Sequence, residues 1–419
     1  MIELKYGSGK VSFPVPSDWQ IEEVAFRPHP PLSDPVAAIQ TSLRQPVGSA
    51  ALGKSVRPGE RVCILVNDST RKARTELFMP ILLDELNAAG VPDRDIFAVV
   101  ATGSHRLATR EDMEALVGAA VSSRIIMYSH DCHDRESLTH LGTTTRGTPV
   151  FANTRVVQAD RRILTGSVVH HWFAGFGGGK KALVPGICGY DTIRANHSLL
   201  LDPASRMAVL DGNPVAEDQL EAAGMIGGDF LINTVLETSG DILGVFAGDM
   251  VLAHRQACDL AHRVYAGYQV APADVVLVSC GGWPKDINVY QAQKSLENGA
   301  LACRPGGVVI LAAECREGIG SAKYWEWAQK YRSLEEIERA LREHFELGGH
   351  KAYAMARVTA EHRVVLLSSL PAETVHTLGF EAASTAKEAL AKAIALLPRE
   401  TSTVRAVVMP FASLTVPIA

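Results

Sequence analysis

The stretch "HHWFAGFGGGKKALVPG", residues 170–186, sets His170, His171, Lys180 and Lys181 around a run of glycines. Imidazole gains and loses a proton near neutral pH and is a common metal ligand. A lysine amine becomes a nucleophile once it is neutral. Glycine lets a backbone come close to a bound group. The stretch is not a phosphate-binding P-loop, since neither Gly-Lys-Ser nor Gly-Lys-Thr occurs in it. It is not a dinucleotide fingerprint either, because the pattern begun at Gly175 and Gly177 needs glycine where Lys180 stands. A plain glycine-rich connection accounts for Gly175 to Gly179 but not for the histidines and lysines beside them.

Four other segments carry residues of the same kind. In "VNDSTRKA" (66–73), Asp68 and Thr70 can accept hydrogen bonds or cap a helix, and Arg71 offers a planar fork for a carboxylate or phosphate. "ATGSHRLAT" (101–109) exposes His105 in a polar loop. "YDTIRANHSLL" (190–200) carries Asn196 and His197 with a helical period. In "CGGWPKDINVYQAQKS" (280–295), Tyr290 and Lys294 are four apart and share a helix face, with Gln291 three residues from Lys294. Taken singly, each has an ordinary reading: a helix cap with a surface arginine, a solvated histidine, a hydrogen-bonded helical histidine, an amphipathic surface helix. "SHDCHD" (129–134) reads as a polar loop, because no further cluster at ligand spacing accompanies it.

The elements that must position these residues alternate. Strands are expected at 61–66, 95–103 and 124–130, and helices at 75–90 and 110–118. The segment 160–169 leads into the glycine stretch, and "FLINTVLETSGDILGVFAGD" reads as two strands joined at Ser-Gly-Asp. A long helix at 250–268 precedes "QVAPAD" (269–274), a linker. A second series follows, with strands at 274–282, 306–315, 363–370 and 403–410 and helices at 288–303, 333–345 and 385–397. The fold class is therefore α/β: two α/β domains with an active-site cleft between them. The expected boundaries are 1–268 for an N-terminal cofactor-binding domain and 274–399 for the C-terminal one, with the tail 400–419 able to return to the first. Polar strand-to-helix turns are where such sheets bind ligands.

Composition excludes several classes. The 419 residues carry a net charge of −5, which gives no electrostatic reason to expect nucleic acid or an anionic membrane. No apolar run approaches the ~18–20 residues of a spanning helix. The opening "MIELKYGSGKVSFPVP" lacks the pattern of a secretory signal. Seven scattered cysteines without a CxxC pair fit a reducing cytoplasm, the expected location.

"DSTR", "SHR", "HWFAGFGGGKKALVPG", "TIRANH" and "YQAQK" occur in this order. Together they resemble the nickel-dependent lactate racemase family, 2-hydroxyacid racemases and epimerases. The resemblance runs from about residue 66 to 300, and 171–197 is its most distinctive part. It implies a nickel pincer nucleotide, pyridinium-3,5-bisthiocarboxylic acid mononucleotide, attached covalently at Lys181. It further implies His197 as the protein ligand to nickel, and Asp68, Thr70, Gly175, Gly178 and Gly179 around the cofactor. His105 and His171 match the catalytic pair. Arg71, Tyr290, Gln291 and Lys294 match the residues that hold the substrate. The implied reaction moves a hydride from substrate C2 to the cofactor and back to the other face, avoiding a poorly acidic C2 proton. Separate cofactor-assembly proteins are implied partners. Two positions depart from the pattern: Gly177 stands where many relatives have serine, and the aromatic residue near the cofactor is left open among Trp325, Trp327 and Tyr353. The alternatives are a Schiff-base lyase or dehydratase using Lys180 or Lys181, and a non-catalytic nucleotide or metal-cofactor carrier.

Overall fold

A computed structural model describes residues 1–24, 29–237, 239–398 and 403–418. The chain forms two compact units: Pro28–His262 is one, and Met1–Arg27 with Arg263–Ala419 is the other.

The unit Pro28–His262 is built on a six-stranded sheet. Its order is Ile242–Gly248, Phe230–Leu236, Arg161–Ser167, Val62–Asn67, Ile96–Ala101, Ile126–Ser129. All neighbours are parallel except the first pair, the hairpin expected from sequence. The run Val62, Cys63, Ile64, Leu65, Val66 is fully buried, as a central parallel strand covered on both faces must be. Helix Thr75–Ala88 buries Phe78, Met79, Leu82, Leu83 and Leu86 against this sheet. Helix Arg110–Val117 begins at a reciprocal cap between Thr109 and Asp112, which satisfies two of its free backbone donors.

The chain lays its first strands outward from Val62–Asn67 on one side and then starts again on the other with Arg161–Ser167. Connections therefore leave the ends of these two neighbours in opposite directions, which opens a crevice there. Asp68 and Arg71 follow one strand, and His170 and His171 follow the other.

The second unit repeats the logic. Its sheet order is Glu381–Ala383, Arg363–Leu367, Cys303–Ala312, Ala273–Ser279, Arg405–Met409, Gln20–Glu23, all parallel. Its reversal lies between Ala273–Ser279 and Arg405–Met409, and helix Val289–Ala300, which carries Tyr290, Gln291 and Lys294, comes after the first of these.

The boundaries differ from those expected. The strand at 405–409 does not return to the first unit but pairs with Ala273–Ser279 in the second. The crossing runs the other way: residues 1–24 do not belong with the N-terminal α/β unit, because Gln20–Glu23 pairs in parallel with Arg405–Met409. Leu4, Phe13 and Trp19 add to the core under that sheet. The change of unit falls at His262 and Arg263, inside helix Leu252–Tyr265, rather than at 269–274. No helix among the described residues is long and apolar enough to cross a membrane.

Candidate active site

The glycine stretch folds as a tight two-strand turn, pairing His170 with Phe176 and His171 with Gly175, followed by one 3-10 turn over Gly179–Ala182. Gly175, Gly178 and Gly179 have φ of 74°, 71° and 56°, a region that side chains strain to enter. A Cβ at Gly175 would collide with the Val209 carbonyl, and one at Gly178 would lie 2.8 Å from Asn233 Oδ1. One at Gly179 would stand 2.5 Å from His254 Cγ. These glycines are thus required by the chain's packing on itself. Asn233 also accepts from the Gly179 N–H at 2.8 Å, and His254 Nε2 lies 2.9 Å from the Gly177 carbonyl.

The glycine stretch and the helix after it bring three of the expected residues to one buried ring. Phe173 is 2% exposed. Its centroid is 4.6 Å from the His171 ring, 5.0 Å from the His197 ring and 5.7 Å from Lys181 Nζ, with both histidines edge-on. His197 arrives on helix Tyr190–Ser198, whose place is fixed by its neighbour Asn196. Asn196 donates to Asp218 Oδ2 at 2.8 Å, and Asp218 also accepts from Thr144 and Thr148. Thr192 of the same helix donates to the Pro149 carbonyl at 2.7 Å.

Burial sets the protonation of this group. It pulls Lys181 down to about 7, helped by the nearby charges of Arg71 and Lys180. It pulls His197 down to about 3, with the Lys181 charge adding to the effect and the Ile193 carbonyl opposing it. His197 is therefore a neutral imidazole at neutral pH. Its Nδ1 is buried with no hydrogen bond of acceptable geometry, although Ile193 lies one turn back. A buried polar atom in that condition calls for a partner. Lys180 takes a different environment, toward Cys258, Arg255 and Asp211, and burial lowers it to about 8.

The loops from the neighbouring strands bind to the same scaffold. The Gly103 N–H donates to the Gly186 carbonyl at 2.9 Å, holding the 102–105 turn to the end of the glycine stretch. Ser167 donates to the Lys72 carbonyl at 2.6 Å and Thr234 to that of Ala73 at 2.9 Å, fixing the turn that carries Arg71. Asp68 spans both loops. Its Oδ1 accepts from the Thr70 hydroxyl at 2.6 Å, and its Oδ2 is 2.5 Å from His105 Nδ1. Burial raises the Asp68 carboxyl, but the bonds from His105 and Thr70 and the Arg71 charge outweigh it and hold the group below its ordinary value. An ionised Asp68 accepts only, so His105 carries its proton at Nδ1 and presents Nε2 outward. His171 is the reverse: the Ala174 N–H donates to its Nδ1 at 3.3 Å, which leaves Nε2 to carry the proton of the neutral ring.

The lactate racemase N-terminal domain pattern matches residues 6–208, and the lactate racemase C-terminal domain pattern matches 268–411. A lactate racemase of Lactiplantibacillus plantarum is 31% identical over 382 residues, covering 89% of this chain and 88% of its own. The chain belongs to the lactate racemase family. A lactate racemase of Thermoanaerobacterium thermosaccharolyticum is 30% identical over 88% of both chains. The lactate racemase apoprotein structure from that organism superposes with a TM-score of 0.92 at 29% identity, over the whole of each chain. A Thermotoga maritima protein shares the fold at a TM-score of 0.70 and 19% identity.

Within this racemase family framework, Arg71, His105, His171, Lys181 and His197 come from loops and a helix tied to one another in a single unit. Tyr290, Gln291 and Lys294 share one helix of the other unit, begun by Asn288, whose Oδ1 accepts from the Gln291 N–H at 3.0 Å. Sequence reasoning gave Asp68 to the cofactor; in the structure it grips His105. It missed Phe173, Asn233 and His254. Phe173 lay inside the quoted stretch but reads as ordinary core, and the other two are isolated polar residues whose role appears only when distant strands and helices meet the loop.

Proposed function

We propose that the chain is a racemase or epimerase of a 2-hydroxy carboxylic acid, lactate first among candidates, working with a nickel pincer nucleotide tethered at Lys181. The observation that carries this reading is the convergence of His171, Lys181 and His197 on the Phe173 ring. The residues fit such a group. Lys181 has an amine that is neutral in a large fraction near pH 7, as covalent attachment requires. His197 offers a neutral imidazole with an unsatisfied nitrogen, as a nickel ligand requires. Among the described residues no cluster of three or more His, Cys, Asp or Glu could hold a metal ion. A metal held by one imidazole needs its other ligands from a bound molecule.

When bound, that group supplies a reversible acceptor for the hydrogen on substrate C2. The chain's own residues do the rest. Arg71 and Lys294 hold the carboxylate through charge-assisted hydrogen bonds, with Tyr290 and Gln291 orienting it. His105, its Nδ1 proton committed to Asp68, offers the Nε2 lone pair to the substrate hydroxyl. His171 returns a proton to the same oxygen when the other face of C2 is presented, and it does so as imidazolium, its Nδ1 taking a proton in place of the bond from the Ala174 N–H. The reverse direction starts from neutral His171 and protonated His105, so the two roles exchange.

The test is to produce the chain together with cofactor-assembly proteins and supply single enantiomers of a panel of 2-hydroxyacids. Interconversion in both directions, lost on nickel removal and restored by reloading, is expected. Turnover that survives without nickel would favour a Schiff-base lyase or dehydratase at Lys181. A loaded protein that inverts none of the acids would leave the carrier reading.

Asp68→Asn tests the histidine geometry. The amide no longer dictates which nitrogen of His105 carries the proton, so kcat is expected to fall about 10²-fold, with a smaller change in KM. An unchanged kcat would remove Asp68 from the orientation of His105.

A further inference from the structure

Helix Val289–Ala300 presents Tyr290, Gln291 and Lys294 on one side, and its inward side carries a second set of polar residues. Gln293 is fully buried, and Glu297 follows it by one turn. Lys351, 6% exposed on helix Gly349–Glu361, donates its ammonium to Gln293 Oε1, and Gln293 Nε2 donates to Glu297 Oε2. The amide is thus oriented at both ends, oxygen to the cation and nitrogen to the carboxylate. The Lys351 ammonium also lies 5.0 Å from the centre of the Tyr290 ring.

We propose that Glu297, Gln293 and Lys351 form an inner counter-charge relay that tunes how tightly Tyr290 and Lys294 hold a substrate carboxylate. The proposal rests on the substrate role assigned above to Tyr290 and Lys294. The charged groups facing Glu297 are Lys294 on its own helix and Lys351 and Arg357 on the helix packed against it. On the strand side, helix Val289–Ala300 meets apolar Val278. Burial pushes the Glu297 carboxyl up to about 7, against the pull of Lys351, Arg357 and Lys294. The sign follows. Below that pH Glu297 is neutral and adds no negative charge beside the three cations, so an anionic substrate is attracted more than above it. As pH rises through about 7 the carboxylate forms, part of the positive potential at Lys294 is cancelled, and KM rises. Gln293 keeps Lys351 over Tyr290 in both states. These three are positioning residues: they act on the substrate only through Tyr290 and Lys294.

The experiment compares loaded wild-type, Glu297→Gln and Lys351→Met proteins at pH 6 and pH 8. Wild-type KM is expected to rise about fivefold between the two, and that of Glu297→Gln to stay nearly flat, with the difference in KM rather than kcat. The ratio of the two proteins' KM values cancels titration of the histidines. Equal pH dependence in both would overturn the proposal. A second readout needs no turnover. In protein labelled with carbon-13 at glutamate carboxyls, the signal missing from Glu297→Gln should titrate near neutral pH, and higher still in Lys351→Met, which lacks a facing cation. Titration in the ordinary carboxylate range, or indifference to Lys351→Met, would overturn the relay whatever the substrate. The expected titration in a protein that racemises nothing would uphold the relay and count against the proposed reaction alone.

Discussion

Lys181→Ala, loaded alongside assembly proteins, is expected to show no added mass and no racemisation, while Lys180→Ala keeps an adduct that maps to Lys181. The two lysines are neighbours in sequence but not in surroundings. Lys181 sits beside the Phe173 ring with Arg71 near it, and Lys180 lies among Cys258, Arg255 and Asp211. Only the first shares a wall with His171 and His197. The pH dependence is fixed by the amine. Attachment needs the neutral form, so its rate should climb as pH rises through about 7 and level off above, well below the usual lysine value of 10.5. An adduct on Lys180, or full activity in Lys181→Ala, would shift the tether and with it the reading of the whole stretch.

The second large effect belongs to the histidine pair. Removing His105 or His171 should lower racemisation about 10²–10⁴-fold in both directions, because in the proposed reaction every turnover uses one ring to take a proton and the other to give it. Binding of the acid should survive, since Arg71 and Lys294 remain. The structure adds an asymmetry to this expectation. His105 is held at Nδ1 by an ionised carboxylate, whereas the Nδ1 of His171 accepts from a backbone N–H. The pH–rate profile of His171→Ala should still respond to Asp68→Asn, whereas that of His105→Ala should not. Near-normal racemisation in either single variant would reject the two-histidine assignment.

The alternation of strands and helices was legible because buried parallel strands such as Val62–Asn67 are continuous apolar runs, bounded by polar turns that a local pattern reveals. The stretch 170–186 stood out because histidines and lysines flank its glycines, and the structure brings its His171 and Lys181 to the Phe173 ring. What escaped had no local signature. Gln20–Glu23 is short and polar at three of its four residues, and its partner is nearly four hundred residues away, so nothing near it says which sheet it joins. The glycines were recognised, but not the packing that also requires them, because their neighbours Val209, Asn233 and His254 come from three distant segments. The bond from Asp68 to His105 was missed because the short strands before these two residues give no hint that they lie side by side. Gln293 and Glu297 look like routine helix polarity until Lys351 arrives from another helix.

The pairing of Gln20–Glu23 with Arg405–Met409 also sets a timetable for synthesis. Pro28–His262 is one uninterrupted run, so its sheet can be completed on the ribosome while the remaining third of the chain is still unmade. The strand at 20–23 emerges first of all these segments yet cannot find its place until 405–409 has been translated. For that interval an early strand must wait with an unpaired edge, the condition in which nascent chains invite chaperones or stray pairing. The insertion of one unit within the other thus makes the strand at 20–23 wait longest for its place.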